Sequence, residues 1–208
     1  MDNILKCVLE GDVDSIEEKL QSALDAGVDA LELINKGLLA GMDEVGILFK
    51  AEELYVPEVL MAAQTLNLGM QMLKPLLNEG DVVKAGKIVI LTVKGDLHDI
   101  GKNLCAVMLE GAGFEVVDLG MDVSPETVCD AVSEQKPDIV GMSALLSTTM
   151  KEMGVVMDVL KETGLAEKVR VMVGGAILNS EYAEKIGAHY ASDAAGAVRL
   201  AKELMKAG

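Results

Sequence analysis

The sequence predicts two regions of different fold class: an N-terminal four-helix bundle, followed by a flavodoxin-like (Rossmann-like), five-stranded parallel α/β domain. Apolar residues recur at helical spacing through about the first 80 positions. From residue 87 the pattern changes to short apolar, β-branched runs that alternate with helical runs. A polar, turn-forming stretch separates the two patterns. We therefore expect domains over residues 1–80 and 87–208, joined by a linker over residues 81–86.

Four helical segments are predicted in the first region. Asp2 caps a first helix that ends near Gly11, and Gly27 ends the second. Asp29 starts the third helix, and Pro57 lies in the first turn of the fourth. Four helices with short connections predict a small bundle.

The second region alternates strands with helices. The predicted strands cover residues 88–93, 115–119, 139–142 and 169–173, with a short one around Tyr190. The predicted helices cover residues 102–111, 125–135, 148–163, 180–186 and 194–206. This βα repetition predicts a doubly wound parallel sheet, and five strands fit the flavodoxin-like order. In that fold the ligand crevice lies at the carboxyl ends of the strands.

The composition argues against several classes of function. A net charge of −16, with three Tyr, two Phe and no Trp, argues against a nucleic-acid partner, because such binding uses basic patches and stacking platforms. No apolar run approaches the ~20 residues that span a bilayer, and no signal-peptide pattern opens the chain. We therefore expect a cytoplasmic protein without a membrane partner. The three cysteines are scattered, which argues against a disulfide framework and a zinc site: Cys7, Cys105 and Cys129.

The first predicted strand of the second region is followed by Asp96-x-His98-x-x-Gly101. His98 is one of only two histidines in the chain, and imidazole is the commonest metal ligand among side chains. A carboxylate usually fixes the second ring nitrogen of such a ligand, and Asp96 is near enough in the loop to do so. Taken alone, a histidine near a strand end is more often a hydrogen-bonded structural residue. The loop by itself leaves both interpretations open.

Two further strand ends carry hydroxyls or glycines. The third strand is followed by Ser143, Ser147 and Thr149, and the fourth ends in Gly174–Gly175. A hydroxyl can extend an Asp–His network, and glycines let a flat ligand approach the backbone closely. The plain alternatives are a helix N-cap at Ser147 or Thr148, and an ordinary turn at the glycines.

Together these motifs resemble the cobalamin-binding domain shared by methionine synthase, cobalamin-dependent mutases and corrinoid methyltransferase proteins. Asp96, His98 and Gly101 match its DxHxxG motif. The resemblance implies that His98 coordinates the cobalt of cobalamin, or of a related corrinoid, from below. Asp99 and Ile100, which lie inside the motif, are expected at the cofactor as well.

The other strand ends also match motifs of this family. Ser143 and Leu145 match its SxL motif, and Gly174–Gly175 match its GG motif. By resemblance, Thr149 supplies the hydroxyl that continues the His–Asp relay, and Ser147 lines the nucleotide tail of the cofactor. The resemblance further implies that this tail enters the sheet between these loops.

In the first region, residues 49–57 resemble the segment of the family's helical cap that covers the methyl-bearing face of the corrin. Phe49 and Val56 match the cap positions where an aromatic and an aliphatic residue shield the methyl group. Val56 stands where leucine is common in the family, which puts the fine packing in doubt. The alternative interpretation is that Phe49 belongs to the core of the bundle.

The resemblance implies a methyl carrier, which is one subunit of a corrinoid-dependent methyltransferase system rather than a complete enzyme. Its expected partners are a substrate-specific methyltransferase, a second methyltransferase whose acceptor is tetrahydrofolate or coenzyme M, and a reductive activation protein. Three alternatives stay open at this stage. They are the cobalamin-binding subunit of a mutase, a cobalamin-responsive regulator, and a flavodoxin-like or response-regulator-like domain that binds no corrinoid.

Overall fold

The computed structural model describes residues 1–77 and 85–206. The described residues form two compact units, which we call the helical unit (residues 1–77 with 110–113) and the sheet unit (residues 85–109 with 114–206). Most of the expected linker, residues 81–84, lies outside the described residues. The domain boundaries expected from the sequence therefore stay a prediction.

The helical unit contains the four predicted helical segments. Their bounds are α1 Asp2–Glu10, α2 Ile16–Asp25, α3 Ala30–Leu33 running through a π-helix Ile34–Leu39 into α4 Ala40–Lys50, and α5 Val56–Leu73 followed by a 3-10 turn Lys74–Leu76. Asp29 caps α3 as predicted, since its carboxylate accepts hydrogen bonds from the backbone N–H groups of Leu31 and Glu32. Asp2 is the first residue of α1 and not its cap, which is Met1.

The π-helix inside the third segment is a feature that the sequence pattern did not predict. Two glycines near it face α1 at very short range. A Cβ atom added to Gly37 would lie 2.9 Å from Cγ2 of Ile4, and one added to Gly41 would lie 2.8 Å from Cβ of Val8. Both glycines are therefore required for the close approach of these helices.

The sheet unit has the predicted flavodoxin-like topology. Its strands are β1 Lys87–Thr92, β2 Glu115–Asp118, β3 Ile139–Ser143, β4 Arg170–Gly174 and β5 His189–Tyr190. Its helices are α6 Ile100–Gly111, α7 Pro125–Gln135, α8 Ser147–Glu162, α9 Ser180–Ile186 and α10 Ala194–Lys206. The strands pair in parallel in the order β2-β1-β3-β4-β5. This order confirms the fold class and puts the change of winding direction between β1 and β3.

The strand register brings the three candidate loops together. Thr92 at the end of β1 pairs with Ser143 at the end of β3, and Ser143 pairs with Gly174 at the end of β4. The interiors of these strands are buried, as in the helix-covered sheets of α/β proteins. The loops after β1, β3 and β4 therefore leave the sheet side by side at its carboxyl edge.

Within residues 1–77 and 85–206, no helix is both long enough and apolar enough to cross a membrane.

Candidate functional site

The loop between β1 and α6 presents His98 on a buried aspartate. The side chain of Asp96 is completely buried, whereas that of His98 is 51 % exposed. Oδ1 of Asp96 lies 2.7 Å from Nδ1 of the His98 ring and also accepts the backbone N–H of His98 at 3.1 Å. The buried hydroxyl of Thr92 donates to the carbonyl oxygen of His98 at 3.1 Å. The ring is thus held from the sheet side while its remaining edge faces outward.

The second oxygen of Asp96 is held by the loop after β3. Oδ2 accepts the hydroxyl of Thr149 at 2.6 Å and the backbone N–H of Leu145 at 2.8 Å. Thr149 is itself buried in the first turn of α8. A single carboxylate therefore ties two neighbouring strand ends together and connects Thr149 to His98.

These contacts determine the charge of Asp96. Burial alone would raise the pKa of its carboxyl group, but the hydrogen bonds donated by Thr149, Leu145 and His98 outweigh burial and hold that pKa well below its ordinary value. Asp96 is therefore ionised at neutral pH and accepts the proton on Nδ1 of His98. In the neutral ring the lone pair then lies on Nε2, the nitrogen suited to bind a metal.

Two glycines in these loops, Gly175 and Gly101, differ in whether the structure requires glycine at their position. Gly175 has a φ of 141°, and a Cβ atom added there would collide with the carbonyl oxygen of Ala144. Gly101 has no such cause, because a Cβ atom added there would meet nothing within 4 Å. Neither backbone strain nor packing within the described residues requires glycine at 101. The space above it fits a ligand that lies close to the backbone.

Several apolar side chains in the loops at the carboxyl edge of the sheet, the edge that carries His98, are exposed. Ile100 is 81 % exposed, which is unusual for isoleucine at the start of a helix. Further exposed apolar side chains lie in the loops after β1, β2, β3 and β4: Leu97, Met121, Leu145, Leu146 and Ile177. Exposed apolar side chains at the sheet edge that carries a half-exposed imidazole suit a flat, largely apolar ligand that carries a metal.

The remaining predicted residues of the sheet unit lie as follows. Ser143 is the last residue of β3 and is partly buried, and Gly174 is the last residue of β4. Asp99 precedes α6, where its carboxylate accepts Nδ2 of Asn103 at 3.1 Å. Ser147 is exposed and is the first residue of α8. The alternative interpretation of Ser147 or Thr148 as a helix N-cap is wrong, since Leu146 occupies the cap position with an extended backbone.

Phe49 and Val56 lie in the helical unit. Phe49 is partly buried near the end of α4, and Val56 is the first residue of α5 with 37 % exposure. Their part in covering a ligand stays a prediction.

Sequence reasoning missed two supports of the His98 loop. Lys102 is only 2 % exposed, and its ammonium donates to Asp118 at the end of β2 and to Oδ1 of Asn103 at 2.6 Å. A lysine directly after Gly101, on the buried side of a helix, was the available indication. The second support, Asp122, follows β2 and contacts the backbone just before His98.

The fold and the site together define a class: a flavodoxin-like domain with one aspartate-oriented imidazole at the carboxyl edge of its sheet, in a chain that also contains a helical unit. A protein-family model described as "B12 binding domain" matches residues 86–200, and a second model with the same description matches residues 1–74. This chain belongs to the B12-binding protein family. The expected cofactor class, cobalamin or a related corrinoid, is confirmed.

Similar proteins cover nearly the whole chain. Dimethylamine corrinoid protein 1 of Methanosarcina acetivorans is 47 % identical over 86 % of this chain and 84 % of its own length. Trimethylamine corrinoid protein 2 of Methanosarcina mazei is 42 % identical over 97 % of this chain and 94 % of its own. Among solved structures, the methanol:cobalamin methyltransferase complex of Methanosarcina barkeri matches with a TM-score of 0.88 and 33 % identity, over 99 % of this chain and 79 % of that chain. These matches confirm the predicted family and fold.

Proposed function

We propose that this chain is a corrinoid methyl carrier that works with methyltransferases, and that its methyl donor is a methylamine. The single observation that carries the proposal is the His98 ring, held by buried Asp96 at the carboxyl edge of the sheet. The relatives named as dimethylamine and trimethylamine corrinoid proteins favour a carrier over a mutase subunit or a regulator. A domain that binds no corrinoid would leave the open space at Gly101 and the exposed Ile100 without a reason.

When bound, the corrinoid supplies a cobalt atom that receives a methyl group from one protein partner and gives it to another. In this proposal Nε2 of His98 would hold the cobalt, and Asp96 keeps the ring proton on Nδ1. Thr149 fixes Asp96 through its hydroxyl, which also lies 3.0 Å from the carbonyl oxygen of Leu146. Asp99 and the exposed Ile100 border the cofactor on the side of α6.

The remaining predicted contacts complete the proposed site. Ser143, Leu145, Ser147 and Gly174–Gly175 border the nucleotide tail between the loops after β3 and β4. In the helical unit, Phe49 and Val56 shield the methyl group from water.

The finer partners are also proposals. A substrate-specific methyltransferase transfers a methyl group to the carrier, and a second methyltransferase passes it to tetrahydrofolate or coenzyme M. A reductive activation protein returns oxidised cobalt to its reduced state. Identity does not separate the donors, since relatives named for dimethylamine and trimethylamine are 47 % and 43 % identical to this chain. We therefore propose the class of methylamines and no single member of it.

The first experiment is a titration of the purified protein with hydroxocobalamin, followed by its visible spectrum. Replacing His98 by alanine should weaken binding by at least about tenfold and change the spectrum, because the imidazole that would hold the cobalt is lost. His189→Ala is the matched control, since it removes the other histidine, exposed on β5. Equal spectra for wild type and His98→Ala would contradict the proposed ligand, and no binding by wild type would contradict the proposed function.

The donor is tested with the loaded protein after an added low-potential chemical reductant has reduced its cobalt from Co(III) to Co(I). Incubation with methyltransferases specific for monomethylamine, dimethylamine, trimethylamine and methanol, each with its substrate, should methylate the carrier fastest with one of the methylamine enzymes. Methylation by the methanol enzyme alone would contradict the proposed donor class.

A further inference from the structure

The loop that follows β2, residues 119–123, lies against the loop that carries His98. The backbone N–H of Thr92 donates to the carbonyl oxygen of Gly120 at 2.9 Å, and that of Val123 donates to the carbonyl oxygen of Thr92 at 3.1 Å. We call residues 119–123 the bracing loop. It continues the pairing of β1 beyond the last residue of β2, so it can fix the path of the chain after Thr92.

Within the bracing loop, Asp122 contacts the residues that immediately precede the His98 position, Gly95 and Asp96. Its carboxylate accepts the backbone N–H of Gly95 at 2.7 Å, and its own backbone N–H donates to the carbonyl oxygen of Asp96 at 3.2 Å. Two consecutive residues of the His98 loop are thus held by one residue of the neighbouring loop. Asp122 is itself exposed and contributes nothing to the buried core.

The backbone of Asp122 is strained. Its φ is +54°, in the left-handed region that non-glycine residues rarely adopt. Aspartate tolerates this region better than most residues, but the conformation persists only where surrounding contacts enforce it. Gly95, whose backbone N–H donates to the Asp122 carboxylate, also has a positive φ of 78°. The two left-handed residues face each other across a short hydrogen bond beside the proposed cofactor site.

We propose that Asp122 is a positioning residue, which fixes the backbone at Gly95 and Asp96 so that Asp96 holds the His98 ring in place for the metal. This inference rests on the proposed function for its consequence in cofactor binding. The physical link is short. Asp96 contacts His98 twice, through the ring and through the backbone N–H, so a displaced Asp96 backbone displaces the ring.

Three substitutions separate the two properties of Asp122. Asp122→Asn keeps an acceptor oxygen and a residue that tolerates a left-handed backbone. Asp122→Gly keeps only the backbone freedom, and Asp122→Ala keeps neither. Asp130→Ala, at an exposed position on α7, is the matched control for loss of a surface carboxylate.

The first measurement uses the protein without corrinoid. Hydrogen exchange at the Gly95 amide should be at least about tenfold faster in Asp122→Ala and Asp122→Gly than in wild type, because its acceptor is gone. The Nδ1 proton resonance of His98, followed by NMR, should broaden or move in the same two variants. Asp122→Asn and Asp130→Ala should match wild type in both.

The second measurement uses the corrinoid-loaded protein. Asp122→Ala should bind hydroxocobalamin about tenfold more weakly, with a spectrum shifted toward that of His98→Ala, and Asp122→Asn should restore both. If Gly95 loses protection while the His98 resonance and the spectrum stay unchanged, Asp122 only stabilises its own loop and the inference is overturned. If wild type binds no corrinoid, the proposed function fails, whereas the His98 resonance still decides whether Asp122 positions the ring.

Discussion

Two polar clusters, one in each unit, each pair an aspartate with a basic side chain. They differ in whether that basic side chain is left free to bind a ligand. In the sheet unit, buried Asp96 holds His98, whose ring is half exposed. In the helical unit, Lys19 donates to Oδ2 of Asp12 at 3.2 Å and to Sγ of Cys7 at 3.3 Å. There the ammonium is used in hydrogen bonds to its neighbours within the cluster. The first cluster buries the carboxylate and turns the imidazole outward, which is the arrangement that a ligand site needs.

Shifted pKa values occur in both clusters and do not separate them. Hydrogen bonds from Ser15 and Lys19 lower the pKa of the Asp12 carboxyl group, and Asp12 in turn raises the pKa of the Lys19 ammonium. Burial raises the pKa of the Cys7 thiol, so it stays protonated and unreactive at neutral pH. This cluster joins the end of α1 to the start of α2. Perturbed titration alone does not mark a functional site, because a structural cluster shows it too.

The largest expected effect comes from removing the carboxylate of Asp96. In Asp96→Ala the buried contacts to Leu145 and His98 lose their acceptor, which costs about 1–3 kcal/mol for each donor left without a partner. Hydroxocobalamin binding should fall about 10- to 100-fold, because the ring of His98 is no longer oriented. Thermal unfolding and the cobalamin titration measure the two effects.

The matched variant is Asp12→Ala. Asp12 and Lys19 are about one-third exposed, at 32 % and 36 %, so water replaces much of their interaction. We expect a smaller loss of stability and an unchanged affinity for hydroxocobalamin. An equal loss of affinity in both variants would remove the distinction between a ligand-binding cluster and a structural one.

A smaller effect is expected at Thr149. In Thr149→Val the shape is kept, but Oδ2 of Asp96 loses the hydroxyl that lies at 2.6 Å. The free energy of unfolding should fall by about 1–3 kcal/mol, and the visible spectrum of the loaded protein should change. Thr149→Ser keeps the hydroxyl and should retain the wild-type spectrum at some loss of packing. If valine and serine give the same spectrum, the hydroxyl has no part in setting the ligand.

The pairing of Asp96 with His98 could be predicted from sequence because it depends on local spacing and topology. The two residues share one loop, and parallel strands in the flavodoxin-like order bring Thr149 to the same edge. Lys102 and Asp122 could not be predicted in this way. Their partners, Asp118 and Gly95, lie 16 and 27 positions away along the chain. These contacts depend on how the loop after β2 turns, which no periodicity describes.

The helical unit shows the same limit at the level of backbone geometry. The apolar spacing from Leu31 to Met42 predicts a single helix, and it is continuous except for the π-helix at residues 34–39. Apolar spacing reports which face is buried and does not report a change within a helix from i→i+4 to i→i+5 hydrogen bonding. The close packing at Gly37 and Gly41 was visible only in the structure.

The smallest expected effect sharpens the comparison through pH. The folded state lowers the pKa of both Asp96 and Asp12, so each carboxylate stabilises the fold above its unfolded pKa of ~3.9, and this stability is lost as the pH falls below that value. Asp96 is buried, so its contribution should resist added salt, whereas that of Asp12 should shrink as salt screens the exposed pair with Lys19. Acid unfolding of wild type, Asp96→Asn and Asp12→Asn at low and high ionic strength measures this. The difference between wild type and Asp96→Asn should persist in high salt and vanish toward low pH, and a salt-sensitive difference would mean that Asp96 is reached by solvent.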